Sequence, residues 1–285
     1  MSDLDAEIKR NVTSAFAEDL GSGDLTAALI PERARATAIL LARGDAVLCG
    51  RAWFDACFRR LDLEIQIVWR ANDGETIAAN QTLCEVGGRA RAILSAERTA
   101  LNFLQTLSAT ATATRRYVEA VRGTKAIIMD TRKTLPGLRL AQKYAVKTGG
   151  GQNQRTGLYD GILIKENHMA IGRSIGDVLA RAKRAHAPVQ IEVETLAQLE
   201  EALAAGAKLV LLDNFTLAGL RGAVELNAGR ALLEASGGIT LANVRAVAET
   251  GVDRISIGGL TKDIKAVDLS LRVAVGLLPG SQGVD

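Results

Sequence analysis

Histidine is nearly absent from this chain of 285 residues, which holds only His168 and His186. Two histidines cannot build a histidine-rich metal centre, so that class of site is excluded. Cysteine is also scarce: Cys49, Cys57 and Cys84 are odd in number, lie in apolar surroundings and show no Cys-x-x-Cys pairing. Neither a disulfide framework nor a zinc site is therefore expected, and the three thiols are predicted to be buried and reduced.

Long apolar runs are missing as well. No stretch approaches the roughly eighteen apolar residues that a membrane span needs, and residues 1–10 are charged rather than signal-like. We therefore expect a globular protein of the cytoplasm. Apolar residues make up 48% of the sequence, which provides a core for one large domain or two unequal ones.

Positive charge is concentrated in one segment. The whole chain carries a formal net charge of +3, but residues 115–165 hold eleven Lys or Arg against three acids, so that segment is +8 and the remainder is −5. A basic band in a mildly acidic protein favours an anionic ligand. The band contains three aromatics, Tyr117, Tyr144 and Tyr159, and no nucleic-acid-binding motif. A small, highly charged substrate is therefore expected, with neither nucleic acid nor membrane as a partner.

The first hundred residues mix short helical signals with strand-like runs, which predicts an α+β unit. Strands are expected at 36–41, 63–69 and 82–86, with a turn at Asn72-Asp73-Gly74. A long helix is predicted to begin with Ser95 as its N-cap. Its middle, residues 108–114, contains only Ser, Ala and Thr, and such small side chains let a neighbouring element or a partner subunit approach closely.

Beyond this helix, short apolar runs alternate with helix-like segments. The runs predicted as strands are 126–130, 161–165, 189–194, 209–213, 231–234 and 254–257. Continuous apolar strands that alternate with helices are typical of a parallel sheet, either doubly wound or closed into a barrel. Charged residues or glycines follow strand after strand, which favours a barrel, and the first strand lacks the glycine fingerprint of a doubly wound fold. With about six strands instead of the usual eight, the barrel is expected to be incomplete or open.

Two glycine pairs follow consecutive strands near the C-terminal end. Gly237 and Gly238 come after Ser236, and Gly258 precedes Gly259. Late strand-to-helix loops of barrels commonly bind phosphate, because residues without a Cβ let backbone N–H groups approach the anion. Glycine pairs are also common in ordinary turns, but two on consecutive strands favour a phosphate site.

Glu194 and Asp213 end adjacent predicted strands. One interpretation is that they pair with Lys or Arg and hold the barrel rim. We favour the other, in which they hold hydrated Mg²⁺ that arrives with a diphosphate. Glu192 lies on the same strand face as Glu194 and is expected to fill the barrel interior instead.

Cations dominate the remaining strand ends. Arg132, Lys133, Arg155 and Lys165 are expected at the same mouth, and several arginines suit a substrate with two carboxylates, which they bind bidentately. Lys165 alone allows a rival chemistry, that of a Schiff-base aldolase. His168 is expected to be a hydrogen-bonding residue of the rim.

The chain resembles the quinolinate phosphoribosyltransferase family. The resemblance covers nearly the whole sequence and is carried by the runs EDLGSGDLT, ERTALNFLQ, MDTRKTLPG, KTGGGQNQRTGLYDGILIKENH, LLDNF, LEASGGI and ISIGGLT. It implies an α/β protein with an N-terminal α/β sandwich domain, 1–108 with 270–285, and an open parallel α/β barrel, 109–269. It also implies quinolinate and phosphoribosyl pyrophosphate as substrates, Mg²⁺, and a homodimer or larger assembly with shared sites.

The resemblance also assigns roles to residues. It implies that quinolinate is bound by Arg132, Gln154, Arg155 and Lys165, with Arg98 supplied by the adjacent subunit. Lys133 and Lys165 would lie between the substrates, Glu194 and Asp213 would face the ribose and the metal, and Ser236, Gly237 and Gly258 would hold the 5′-phosphate. Lys133, Lys165, Glu194 and Asp213 are the expected catalytic set.

One position departs from the family pattern, because Gln154 stands where the family usually has His. A Gln still donates a hydrogen bond to a carboxylate but cannot carry charge. A related branch of barrel proteins from molybdate-transport operons shares the architecture but generally lacks the TRKTLPG and LIKENH runs that this chain keeps. The expected reaction is therefore phosphoribosyl transfer to quinolinate with loss of carbon dioxide. The alternatives are the Lys165 aldolase, the molybdate-operon paralogue and a non-catalytic phosphate-binding module.

Overall fold

The computed structural model describes residues 3–168 and 174–274. The chain forms two compact units: one reaches from the N-terminal end to Thr112 and resumes at Ile264, and the other runs from Ala113 to Asp263. The sequence prediction places the breaks after residues 108 and 269, and residues 275–285 of its first domain lie outside the described residues. The break after Thr112 falls inside a helix, so no linker marks it.

The helices and strands alternate in a different pattern in the two units. In chain order they are α1 (Asp3–Asp19), β1 (Arg35–Ala42), β2 (Ala46–Val47), α2 (Arg51–Leu61), β3 (Gln66–Trp69), β4 (Thr76–Ile77), β5 (Thr82–Arg89), α3 (Ala90–Ala120), β6 (Ile127–Met129), α4 (Arg139–Thr148), β7 (Ile162–Ile164), α5 (Ile175–Ala182), β8 (Val189–Val193), α6 (Leu196–Ala204), β9 (Leu209–Asp213), α7 (Leu217–Asn227), β10 (Leu232–Ser236), α8 (Val244–Ala248), β11 (Arg254–Ser256), α9 (Gly259–Lys262) and β12 (Leu269–Ala274). Short 3₁₀ helices lie at Ala27–Leu29 and Lys183–Ala185. No helix in the described ranges has the length and apolar character that crossing a bilayer would require.

The first unit is built on an antiparallel sheet with the strand order β12-β1-β5-β3, and β2 pairs separately with β4. Along β1, Ala38, Leu40 and Ala42 are fully buried while the residues between them are partly exposed, so one face of the strand is packed. Helix α2 contributes Phe54, whose ring centroid lies 5.2 Å from that of Trp69 on β3. The predicted α+β unit is therefore confirmed.

Helix α3 begins at Ala90, directly after β5 ends, so the predicted N-cap at Ser95 is wrong. Ser95 lies inside the helix, and its hydroxyl donates to Asp24 Oδ2 at 2.7 Å instead of capping a backbone group. The prediction of a close approach by the small-residue segment is confirmed within the first unit. Ser108 Oγ accepts from the Cys49 N–H at 3.0 Å, and Thr112 Oγ1 accepts from the Val47 N–H at 2.8 Å.

The predicted burial of the three cysteines is also confirmed. Desolvation by burial raises the pKa of the Cys57 thiol to about 12 and raises that of Cys84 as well. These thiols are therefore protonated and inert at neutral pH.

The second unit is a six-stranded parallel sheet with the order β6-β11-β10-β9-β8-β7, and β6 and β7 are its two edges. All six predicted strands are present. Their outward-facing residues, such as Ile191, Val210 and Leu212, belong to one buried cluster with Leu199 of α6 and Leu220 of α7. Side chains alternate along each strand, so the intervening residues point to the inner face of the curved sheet. The open, incomplete α/β barrel expected from the sequence is therefore confirmed.

Candidate active site

A cavity of about 230 Å³ lies at the carboxyl ends of the six parallel strands of the second unit. Its walls come from the strands, from the residues just after them, and from Gln154 and Arg155 in the segment between α4 and β7. The lining residues are Thr131, Arg132, Lys133, Gln154, Arg155, Leu163, Lys165, Gln190, Glu192, Leu211, Asp213, Glu234, Ser236 and Ser256. Since every strand of the sheet or the segment following it contributes to this lining, the sheet curves around a common mouth, as the barrel prediction requires.

Two guanidinium groups lie in this cavity. Arg132 Nε is buried and has no hydrogen-bond partner among the described residues. Arg155 donates from Nη1 to Gly161 O at 2.9 Å, and its pKa is lowered by burial and by the positive charge of Arg132. A buried donor without an acceptor is costly, and two neighbouring cations repel each other. An anion with several oxygens, such as a dicarboxylate, would relieve both penalties.

Acidic and basic groups also meet in the cavity lining contributed by β7 to β10. Lys165 Nζ donates to both carboxylate oxygens of Glu192, at 3.0 and 3.1 Å. Asp213 ends β9, and its Oδ2 accepts from Asn214 Nδ2 at 3.0 Å. Ser236 is the direct neighbour of Asp213 in the register of β9 and β10. This part of the lining therefore presents a hydroxyl, an ammonium and two carboxylates, which suits a polyhydroxylated and phosphorylated ligand.

The inner part of the cavity is formed by two amides and a buried carboxyl group. Gln190 Nε2 donates to Glu234 Oε2 at 3.0 Å, and Gln154 Nε2 donates to Glu234 Oε1. Burial raises the pKa of Glu234, which is only 1% exposed. The side chain of Gln154 is thus held by a hydrogen bond in the cavity wall rather than left mobile.

The structure places Glu194 outside the residues that line the cavity. Strand β8 ends at Val193, the chain bends at Glu194, and the Glu194 N–H donates to Gln198 Oε1 at 2.8 Å. The alternation of the strand therefore stops before Glu194, whose side chain is exposed, and Glu192 takes the position in the cavity.

The two glycines predicted to bind phosphate flank the cavity without lining it. Gly237 has φ of +94°, and a Cβ there would overlap Asn214 Oδ1 and come within 2.9 Å of the Asn214 backbone nitrogen. A Cβ at Gly258 would lie 3.0 Å from Lys133 Cδ. Both glycines therefore leave room for side chains that sit beside the site.

Two family models match the chain, and together they cover most of it. The model for the C-terminal domain of quinolinate phosphoribosyl transferase matches residues 110–272, and the model for its N-terminal domain matches residues 24–108. The chain belongs to the quinolinate phosphoribosyltransferase family. The resemblance inferred from the sequence is therefore confirmed.

Curated relatives and solved structures agree with this assignment. The chain is 42% identical over 285 residues to the nicotinate-nucleotide pyrophosphorylase (carboxylating) of Mycobacterium leprae, covering 95% of this chain and 99% of that protein. It is 40% identical over 272 residues to the probable nicotinate-nucleotide pyrophosphorylase (carboxylating) of Bacillus subtilis, covering 94% of each. The nicotinate-nucleotide pyrophosphorylase structure from Francisella tularensis superimposes with a TM-score of 0.92 at 44% identity, covering 94% of this chain and 96% of that one.

Within this quinolinate phosphoribosyltransferase fold, the structure brings most of the predicted site residues together. Those that line the cavity are Arg132, Lys133, Gln154, Arg155, Lys165, Asp213 and Ser236. Arg98 is an exposed residue of α3 in the first unit. His168 lies beside the mouth, where its Nδ1 accepts from the Lys165 N–H at 3.0 Å, so the rim role expected for it is confirmed.

The cavity residues that escaped the sequence reasoning include the polar residues Gln190, Glu234 and Ser256. The signal that could have found the first two is a polar side chain inside an otherwise apolar parallel strand, as in VQIEV and LLEAS. Such a residue needs a polar environment, and in a barrel the interior near the carboxyl ends is where one exists.

Proposed function

We propose that this member of the family transfers the phosphoribosyl group of phosphoribosyl pyrophosphate to quinolinate, releases pyrophosphate and carbon dioxide, and forms nicotinate mononucleotide for NAD biosynthesis. The observation that carries the proposal is that Arg132 and Arg155 line the same cavity as Lys165, Asp213 and Ser236. Groups suited to a dicarboxylate thus lie within one small volume with groups suited to a phosphorylated sugar. The names of the relatives from Mycobacterium leprae and Bacillus subtilis support the same reaction.

Quinolinate binds at the arginine side in this proposal. The guanidinium groups of Arg132 and Arg155 pair with its two carboxylates, and the amide of Gln154 adds a neutral hydrogen bond. Lys133 and Lys165 lie between the substrates and offset their negative charge. Asp213 contacts the ribose hydroxyls from the cavity lining and Glu194 contacts them from its exposed position just after β8, while Ser236 with Gly237 and Gly258 holds the 5′-phosphate.

The chemistry follows from this placement. The quinolinate nitrogen attacks the anomeric carbon of the ribose, and the bond from that carbon to pyrophosphate breaks with its electron pair leaving on the pyrophosphate. The carbon–carbon bond to the carboxylate beside the new pyridinium nitrogen then breaks. Its electron pair stays on the ring carbon, which the adjacent cationic nitrogen stabilises, and a proton from solvent replaces carbon dioxide. The protein contributes orientation and electrostatics.

Mg²⁺ fits this site as a metal carried by the substrate. No cluster of three or more His, Cys, Asp or Glu side chains that could hold a metal occurs in ranges 3–168 and 174–274. Magnesium commonly uses one or two carboxylates together with phosphate oxygens and water, a set that Asp213 and Glu194 could complete. When bound, the ion would neutralise charge on the diphosphate.

The aldolase alternative gains no support from the site. Schiff-base chemistry at Lys165 has no need for the further cations Arg132, Lys133 and Arg155 that line the same cavity, whereas a doubly acidic substrate does. We further propose that the protein works as a homodimer or larger assembly in which Arg98 completes the site of the neighbouring subunit.

A radiochemical assay tests the proposed function. Quinolinate labelled in the carboxylate beside the nitrogen is incubated with phosphoribosyl pyrophosphate and Mg²⁺, and released carbon dioxide and pyrophosphate are both measured. Equal amounts of the two products are expected, with none when nicotinate replaces quinolinate or when the metal is chelated. Borohydride trapping of Lys165 with a carbonyl substrate, in the absence of carbon dioxide release, would instead favour the aldolase.

A further inference from the structure

Two buried ionic groups stand next to the cavity without lining it. Lys143 of α4 donates from Nζ to Asp130 Oδ1 at 2.6 Å, and the two side chains are 2% and 0% exposed. Asp130 follows the end of β6 directly. Neither residue belongs to the cavity lining, and the proposed reaction gives neither a role.

Both members of this pair bind the backbone of Gln154. The Gln154 N–H donates to Asp130 Oδ1 at 2.8 Å, and Lys143 Nζ donates to Gln154 O at 2.8 Å. The side-chain amide of Asn153 is oriented so that its nitrogen faces Lys143 O and Asp130 Oδ2, and it donates to Asp130 Oδ2 at 2.9 Å. Residues 153–155 belong to no helix or strand, so no ladder of backbone hydrogen bonds fixes them. The ion pair supplies the bonds that a ladder would otherwise provide.

Stability alone does not account for such a pair. Removing two charges from water is costly, and replacing a buried ion pair by neutral groups of similar volume is often neutral or even stabilising. What the pair adds is direction: an acceptor and a donor at fixed positions hold the N–H and the C=O of one peptide segment. Arg155 is the next residue, and its guanidinium donates from Nη1 to Gly161 O.

We propose that Asp130 and Lys143 are positioning residues that clamp the backbone of Gln154 and thereby aim the Arg155 guanidinium at a carboxylate of the acid substrate. This inference rests on the proposed role of Arg155 in binding quinolinate. It is specific to one substrate, because the clamp holds the segment of Gln154 and Arg155 and none of the residues assigned to phosphoribosyl pyrophosphate.

The test uses the double variant Asp130→Asn/Lys143→Met of the full chain. It keeps the side-chain volumes similar and leaves no lone buried charge, but it removes the donor to Gln154 O. The Kd of quinolinate, both KM values, kcat and Tm are measured. We expect the quinolinate Kd and KM to rise at least about tenfold, because small misplacements of a binding group have large effects, while the KM of phosphoribosyl pyrophosphate changes less than about twofold.

A matched control separates positioning from general destabilisation. Asn227 is buried and makes two hydrogen bonds to the backbone of Ala231, one as donor at 2.8 Å and one as acceptor at 3.0 Å, away from the cavity lining. Asn227→Ala is expected to lower Tm by at least as much as the double variant while leaving the quinolinate Kd within about twofold of wild type.

Two outcomes overturn the inference. One is a folded double variant with wild-type affinity for quinolinate. The other outcome needs no variant. We expect the Gln154 amide of the wild type to be protected from hydrogen exchange, and exchange as fast as that of exposed loop amides such as Leu158 would contradict the clamp. Arg155→Met distinguishes a failure of the clamp from a failure of the role proposed for Arg155. If it binds quinolinate normally, the role proposed for Arg155 fails; if only the double variant binds normally, the clamp alone fails.

Discussion

Lys165 and Glu192 form an ion pair in the wall of the cavity, with the Lys165 ammonium nitrogen 3.0 and 3.1 Å from the two carboxylate oxygens. The lysine follows the end of β7 and the glutamate lies in β8, the neighbouring strand. The lysine is half exposed, so the pair contributes little to stability. Its consequence is electrostatic, because an anionic ligand must compete with Glu192 for the ammonium.

Glu192→Gln should therefore strengthen the binding of anions. We expect the Kd of phosphoribosyl pyrophosphate to fall by roughly two- to fivefold, which is the range that a partly exposed ion pair allows. Equilibrium binding at low and physiological salt measures this effect, and it should shrink as salt rises. Glu166→Gln is the matched control, since Glu166 adjoins Lys165 in the chain but is exposed and does not line the cavity. Equal effects of the two substitutions would contradict the assigned competition.

Arg155→Met should weaken quinolinate binding selectively. A hydrogen bond to a charged group contributes about 1.5–3 kcal/mol, so the KM of quinolinate should rise by roughly ten- to hundredfold. Arg155→Lys should recover only part of the loss, because an ammonium cannot bind a carboxylate bidentately. Steady-state kinetics with each substrate varied in turn provides the measurement. Arg122→Met, which removes an arginine side chain that is 79% exposed, should leave both KM values unchanged.

The sequence predicts the barrel better than it predicts the cavity. The strand predicted at 209–213 is observed with the same bounds. It is easy to predict because a strand that is buried on both faces consists of a continuous run of apolar residues. The polar residues inside such runs are harder to interpret. Glu234 binds the side chain of Gln154, 80 residues away, and that pairing exists only once the sheet has curved.

Local bends account for two further differences between expectation and structure. Glu194 continues the alternation of its strand in the sequence, but the chain turns after Val193 toward the N-cap Thr195 of α6. Ser95 has the chemistry of an N-cap, but β5 runs directly into α3 at Ala90. No Gly or Pro marks the turn after Val193, and the pair Gly87-Gly88 before α3 is typical of the end of a strand, so sequence pattern alone reveals neither event.

The buried Glu234 should make stability depend on pH. Burial raises its pKa above the ordinary 4.5, so above about that pH the unfolded chain loses a proton that the folded protein keeps. The contribution of Glu234 to wild-type stability should therefore decline as pH rises from about 4.5 toward the raised pKa of the folded state. Glu234→Gln cannot titrate, and its stability relative to wild type should increase over the same interval.

Urea denaturation at several pH values from 4.5 upward measures this difference. The substitution also exchanges one acceptor oxygen for an amide, which adds a constant cost, so the trend with pH is informative and the absolute value is not. Glu225→Gln makes the same charge change at an exposed position of α7 and should follow the wild type. A relative stability of Glu234→Gln that stays flat or falls with pH would show that the carboxyl group is ionised throughout.

The proposed sharing of the site between subunits makes a quantitative prediction. Arg98→Met and Arg155→Met should each be nearly inactive alone, since each removes one of the arginines assigned to quinolinate. If Arg98 acts in the neighbouring subunit's site, a heterodimer of the two variants has one site with both arginines and one with neither. Random mixing of dimers should then restore about a quarter of wild-type activity, because half of the dimers are mixed and each has one intact site of two. The two purified variants are refolded together, and the activity is measured before and after mixing. A mixture of Arg132→Met and Arg155→Met is the control, and it should recover no activity because both residues line the same cavity of one subunit.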